Sequence, residues 1–162
     1  MCDRHHFEFE IDIAIRSQVI SKLEASPEHP LTLEVAPPAS GVYALYRKGK
    51  LVYAGKAMGA TTLKRRLGEH FKKIASRQNI ETSEMTCRFL EIESPWFVRA
   101  AEDALISCYR EKGLVEWNGS GFGPHVPGSG RPGIRVSKWD RDFPPRKEAP
   151  DRHGRGQAAP PP

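Results

Sequence analysis

The spacing of apolar residues changes period several times along the chain, and each change marks an element. Phe7, Phe9, Ile11, Ile13 and Ile15 alternate with Glu8, Glu10 and Asp12, a strand-like pattern that gives way to a helical one over Arg16–Leu23. Prolines at 27, 30, 37 and 38 make residues 26–40 an irregular connection. Two β-rich runs follow, Gly41–Tyr46 and Lys50–Gly55, joined by Arg47-Lys48-Gly49 in the manner of a tight hairpin. Leu63, Leu67, Phe71 and Ile74 then keep the three-four spacing of a buried helical stripe, with Thr61 or Thr62 as its cap. Met85–Ile92 reads as a third strand. Ser94 as cap, Pro95 in the first turn and Gly113 past the end delimit a long helix whose apolar face carries Val98, Leu105, Ile106 and Tyr109. The sum is an α+β fold, a small three-stranded antiparallel sheet flanked by helices. Residues 1–146 are expected to form one domain with an N-terminal extension and a C-terminal loop region, and 147–162 have too little apolar content to fold.

The hairpin fixes where two phenols point. A three-residue loop with Gly49 in the left-handed position pairs Tyr46 with Lys50 and places Tyr43 directly across from Tyr53, Cβ atoms roughly 5 Å apart. A two-residue loop, or a slip by one, turns one phenol to the opposite face. On the following helix Arg66 and His70 lie one turn apart, so both tips can reach one spot beside the stripe. Glu102 falls in the middle of an apolar helix face, where a bare carboxylate costs several kcal/mol. It is therefore ion-paired with an Arg or Lys, protonated, or bound to a cation; a single carboxylate suits a hard ion that keeps most of its waters, such as magnesium.

Composition narrows the partners. With 162 residues, 38% of them hydrophobic, one compact core is possible and little is left for a second domain. A net charge of +5 favours polyanions. Cys2, Cys87 and Cys108 lack metal-ligand spacing, Cys108 reads as a small helix-core residue, and a reduced cytosolic compartment is the simplest setting. His5, His6 and His125 lack a matched ligand set. No apolar stretch is long enough to span a bilayer, and the N-terminus lacks the apolar core of a signal peptide.

Taken in order, these pieces resemble the GIY-YIG nuclease superfamily. Gly41-Val42-Tyr43 stands for the first motif and Tyr53-Ala54-Gly55 for the second, followed by Arg66 and His70, then Glu102, then Trp117-Asn118. Val42 and Ala54 replace isoleucines of the two motifs. The tail Gly121-Phe-Gly-Pro-His-Val-Pro-Gly-Ser-Gly-Arg131, with Ser137-Lys-Trp-Asp140 and Pro144-Pro-Arg146, is similar to that of small type II restriction endonucleases, in particular the subgroup associated with CCGCGG.

The resemblance implies hydrolysis of phosphodiester bonds in double-stranded DNA at a GC-rich palindrome. Glu102 would bind one divalent ion per site, magnesium or in its place manganese, and Arg66 would hold a non-bridging oxygen. A free phenol titrates near 10, so Tyr43 as base needs help from Lys56 or His70; His70 as the direct base is the alternative. Tyr53 would orient water or phosphate, and Asn118 would donate to the phosphate or position its neighbours. Lys64, Arg65, Lys72 and Lys73 are candidate phosphate contacts, and His125, Arg131 and Arg135 candidate base contacts. A palindrome implies a homodimer, a restriction enzyme implies a partner DNA methyltransferase, and the setting is the cytoplasm of a prokaryote. A catalytically silent DNA-binding module and a repair or mobile-element nuclease of the same fold are the competing readings.

Overall fold

A computed structural model describes residues 11–123 and 136–146 of the chain. Its described elements are α1 (Ile11–Ala25), β1 (His29–Pro30), β2 (Gly41–Arg47), β3 (Lys50–Ala57), α2 (Leu63–Ala75), β4 (Met85–Glu91), α3 (Pro95–Glu111) and α4 (Lys138–Asp142). The strands form one antiparallel sheet in the order β1-β4-β2-β3. The α+β architecture expected from the sequence is therefore present, with one strand more. That strand has two residues and pairs His29 with Cys87 and Pro30 with Thr86 at the sheet edge, where a proline's missing N–H costs nothing.

The alternating run at the N-terminus is corrected. Ile11, Ile13 and Ile15 lie in α1, while Phe7 and Phe9 lie outside the described residues. Ile15, Val19 and Leu23 are spaced by four and buried against the sheet and α3, whereas Ile13 is exposed. The long helix stripe thus overrides the local alternation.

The hairpin turn is also tighter than the sequence suggests. Arg47 pairs with Lys50, and Lys48 and Gly49 both take positive φ, 50° and 78°, the conformation of a two-residue type I′ turn. Continued evenly, this register would send the phenols to opposite faces. A bulge at Val52 compensates: Tyr46 pairs with Leu51 and Leu45 with Tyr53, so Tyr43 pairs with Gly55. Tyr43 and Tyr53 share a face after all, as diagonal rather than direct neighbours.

Two apolar clusters occupy the two faces of the sheet. One contains Val42, Ala44, Leu51 and Ala54 with α1 and α3 residues such as Leu23, Ala101 and Leu105. The other contains Tyr43, Leu45 and Tyr53 with Leu63, Leu67 and Ile74 of α2 and with Trp117, Phe122, Trp139 and Phe143. After α3 the chain passes along the free edge of β3, where Trp117 N–H donates to the carbonyl of the bulged Val52 at 2.9 Å. α4 is capped by Ser137, and the strand of chain after it is pinned to the end of α2 by Gln78 N–H to Pro144 O and Arg146 N–H to Ser76 O, both 2.8 Å. Cys87 is the fully buried cysteine of the sheet, while Cys108 is half-buried, against the expectation that it fills the helix core.

Candidate active site

The bulge brings the phenols together, with ring centroids 6.2 Å apart. Gly55 makes room for them. A Cβ at that position would stand 2.7 Å from Tyr43 Oη and 3.0 Å from Tyr53 Cε1, so no larger residue fits behind the pair.

α2 supplies the next group. The Thr62 side chain accepts from Arg65 N–H and starts the helix, and Leu63, Leu67 and Ile74 turn one stripe onto the sheet. His70 is carried inward on that stripe and is 4% exposed, the one buried polar side chain among the described residues. Its Nε2 lies 2.7 Å from Tyr43 Oη, and its ring centroid 5.3 Å from that of Tyr53. Phe122 stacks on its other side, centroids 4.7 Å apart and planes 17° from parallel.

Burial controls protonation here. It pushes the imidazole down to about 3, assisted by the charges of Arg66 and Lys73, so His70 is neutral at pH 7. Burial also raises Tyr43 well above the ordinary phenol value; Tyr53 and Glu102 raise it further and Arg66 opposes them. Tyr53 is raised by burial and by Glu102, again opposed by Arg66. Both phenols are therefore protonated, and Tyr43 and His70 share one neutral hydrogen bond.

Arg66 is the cation acting on both phenols, and its Nη1 is meanwhile held by Glu69 Oε2 at 3.1 Å. Lys56 does not take the role of neighbouring cation to Tyr43. It lies opposite Val42, on strand positions that alternate with those of the phenols, and its Nζ is bonded to Glu102 Oε2. Glu102 is thus the ion-paired carboxylate that its place on α3 demanded, with a side chain 17% exposed. Asn118 is likewise committed to the fold: its Nδ2 donates to Ala54 O at 2.8 Å and its Oδ1 accepts from Ala54 N–H at 2.9 Å. With Trp117 N–H on Val52 O, this clamps the backbone on both sides of Tyr53. Asn118 is therefore bonded to the strand beside Tyr53 through both its side-chain oxygen and its nitrogen.

Among the described residues no three His, Cys, Asp or Glu gather as a metal cluster. The donor set is one carboxylate, with one of its two oxygens held by Lys56. Such a set fits a hard divalent ion that takes its other ligands from water and phosphate, and fits no ion that needs nitrogen or sulfur.

The expected DNA contacts divide. Lys64 pairs with Glu34 at 3.2 Å and Arg65 with Glu69 at 3.0 Å, both on the exposed side of α2. Lys72 is exposed without an acidic partner among the described residues. Lys73 is placed differently: its ammonium donates to Phe122 O at 2.8 Å and Gly121 O at 3.3 Å and lies over the Phe122 and Trp139 rings. His125, Arg131 and Arg135 lie outside the described residues. The sequence reading passed over Phe122 as a neighbour of the site; its trace was the aromatic density of an otherwise Gly- and Pro-rich stretch.

A family model described as the Eco29kI GIY-YIG domain matches residues 52–159, about two-thirds of the chain. The match starts within β3, so the place of Tyr43 in the site rests on the hairpin geometry. No curated protein matches the chain.

Proposed function

The chain belongs to the Eco29kI GIY-YIG family, that of a nuclease, and from that membership we propose that it is a type II restriction endonuclease cutting double-stranded DNA at a GC-rich palindrome such as CCGCGG. The observation that carries the chemistry is the Tyr43–His70 hydrogen bond, set beside Tyr53 and within the fields of Arg66 and Glu102.

A protonated, buried phenol is a poor base by itself. Coupled to His70 it does not have to be one: as Tyr43 Oη takes a proton from the attacking water, its own proton passes to Nε2, and no free phenolate forms. Burial is the main cause that suppresses the imidazole, and an anionic phosphate against Arg66 offsets the part that Arg66 adds, so substrate eases the proton's arrival. The Arg66 fork releases Glu69 to grip a non-bridging oxygen, and Tyr53 orients water or phosphate. Glu102 would hold one divalent ion, magnesium or manganese, which supplies charge stabilisation at the phosphate and at the leaving 3′ oxygen. Lys56 keeps the carboxylate neutralised and in place, and Asn118 keeps Tyr53 in register.

Lys64, Arg65 and Lys72 are assigned to phosphate contact, and His125, Arg131 and Arg135 to base contact. Residues 1–146 act as a single domain, two copies address the two strands of the palindrome, and a DNA methyltransferase protects the host. No described helix is long and apolar enough to cross a membrane, and a prokaryotic cytoplasm is the proposed setting.

The Lys56–Glu102 pair favours one competing reading, a DNA-binding module in which the carboxylate is merely structural. A plasmid digest with magnesium separates the two. Discrete fragments are expected from the native chain, and Glu102→Gln should bind DNA and not cut. Retention without cutting by the native chain establishes the binding module, smearing a nonspecific nuclease, and normal cutting by Glu102→Gln removes the metal assignment.

A further inference from the structure

We propose that Phe122 is a positioning residue for cleavage: its ring is the flat wall that holds the His70 imidazole with Nε2 on the Tyr43 hydroxyl. The inference rests on the reading of Tyr43 and His70 as the proton-transfer pair.

An imidazole carried on a helix can rotate about its last side-chain bond, and it is stopped by hydrogen bonds at its nitrogens and by contacts on its faces. The groups around His70 come from three elements. Tyr43 and Tyr53 approach from the hairpin, Arg66 and Lys73 flank it on α2, and Phe122 arrives from the segment beyond α3. Tyr43 and Tyr53 meet the ring at tilts of 52° and 64°, so neither lies flat against its face. Phe122, at 17°, makes the near-parallel contact.

Phe122 is itself held by both its ring and its backbone. Its ring is 1% exposed, with Tyr53, Trp117 and Trp139 at centroid distances of 5.0, 4.8 and 5.0 Å. Its carbonyl and that of Gly121 accept from Lys73 Nζ, which stands one turn past His70 on the same helix. α2 therefore grips Phe122 at two points: the ring stacks on His70 and the backbone is tied by Lys73. A Cβ on the next residue, Gly123, would come within 3.3 Å of Tyr53 Oη, so the chain crosses over the second phenol as it leaves. This arrangement locates the imidazole relative to both phenols at once.

The test is a single-turnover cleavage assay with magnesium, run beside DNA-binding and thermal-unfolding measurements. Phe122→Leu keeps apolar bulk and removes the flat face. It is expected to slow cleavage about 30- to 100-fold, the penalty of a displacement near 1 Å, while DNA affinity stays within about twofold. Phe122→Tyr keeps the face and should restore the rate to within about threefold of native. In a His70→Ala background, Phe122→Leu should add no more than about a twofold loss, because its effect passes through the imidazole. Native-rate cleavage by Phe122→Leu, equal slowing by a folded Phe122→Tyr, or losses that multiply in the double variant would each overturn the proposal. Native-rate cleavage by His70→Ala alone would instead overturn the proton-transfer reading, and this inference with it.

Discussion

The two faces of one hairpin do different work. Val42, Ala44, Leu51 and Ala54 look toward α1 and α3 and join a mostly aliphatic cluster with Leu23, Ala101 and Leu105, to which Tyr109 adds one buried phenol. Tyr43 and Tyr53, at alternate positions, look toward α2 and meet His70 and Phe122, in a cluster that also holds Trp117 and Trp139. The first face is mainly buried surface, with the Lys56–Glu102 ion pair set between it and α3. On the second, the buried polar side chain His70 is tolerated because a phenol satisfies it. The period of a strand keeps these tasks apart at no cost in length, provided the register is right, and here a single bulged residue makes it right.

The largest effect that would break this contrast comes from Tyr43→Phe, which removes one oxygen from the second face. Cleavage is expected to fall about 10²- to 10⁴-fold, the usual worth of a positioned proton-transfer group. Stability should fall as well, by about 1–3 kcal/mol, since His70 Nε2 loses its buried partner. Single-turnover rates and chemical denaturation measure the two losses separately. A variant that cuts within about threefold of native would show that proton transfer does not pass through this face.

Leu23→Ala strikes the first face. Leu23 is fully buried between α1 and the sheet, so truncation should cost about 2–5 kcal/mol in denaturation experiments. Measured on the folded fraction, the cleavage rate should stay within about twofold of native. A large fall in that rate would mean that the faces are coupled through the sheet.

This division was partly legible in the sequence. The caps and stripes of α2 and α3, the three principal strands and the chemistry-bearing side chains could be read because each depends on short-range spacing. The hairpin register could not be read. Lys48 accepts a positive φ usually left to Gly, Asn or Asp, and the Val52 bulge that restores parity has no local signature. Ile11 to Ile15 misled because five residues of alternation precede the helical stripe that tertiary packing selects. The partners of Lys56, Lys73 and Asn118 stayed hidden for another reason: Glu102, the Phe122 carbonyl and the Ala54 backbone are each more than 40 residues away in sequence.

A smaller effect follows from the depressed imidazole. Burial, Arg66 and Lys73 set the folded value of His70 near 3, against about 6.5 in the unfolded chain. Above pH 6.5 the residue is neutral in both states and contributes no pH dependence. As pH falls from 6.5 toward 3 the unfolded chain takes up a proton that the folded one refuses, and stability drops by about 1.4 kcal/mol per unit. Between pH 7 and pH 5 the native chain should therefore lose about 2 kcal/mol more than His70→Gln does. Parallel denaturation curves for the two proteins over that range would show that the second face does not hold its histidine neutral.

The smallest effect sharpens the contrast within α2, where Lys72 and Lys73 are neighbours in sequence with opposite surroundings. Lys72 stands exposed, while Lys73 is turned inward onto two carbonyls and two rings. If the outer side of α2 follows the phosphate backbone, Lys72→Ala should weaken DNA binding a few-fold, equally for cognate and unrelated duplexes. It should also reduce the slope of log affinity against log salt by about 1, the signature of one lost phosphate contact. Lys73→Ala should leave that slope unchanged, because an ammonium already held by protein releases no counterion from DNA, and should lower the unfolding temperature instead. Titrations at several salt concentrations distinguish the two. Equal slopes for Lys72→Ala and the native chain would move the DNA to another surface, whereas a reduced slope for Lys73→Ala would mean that its carbonyl contacts are given up when DNA binds.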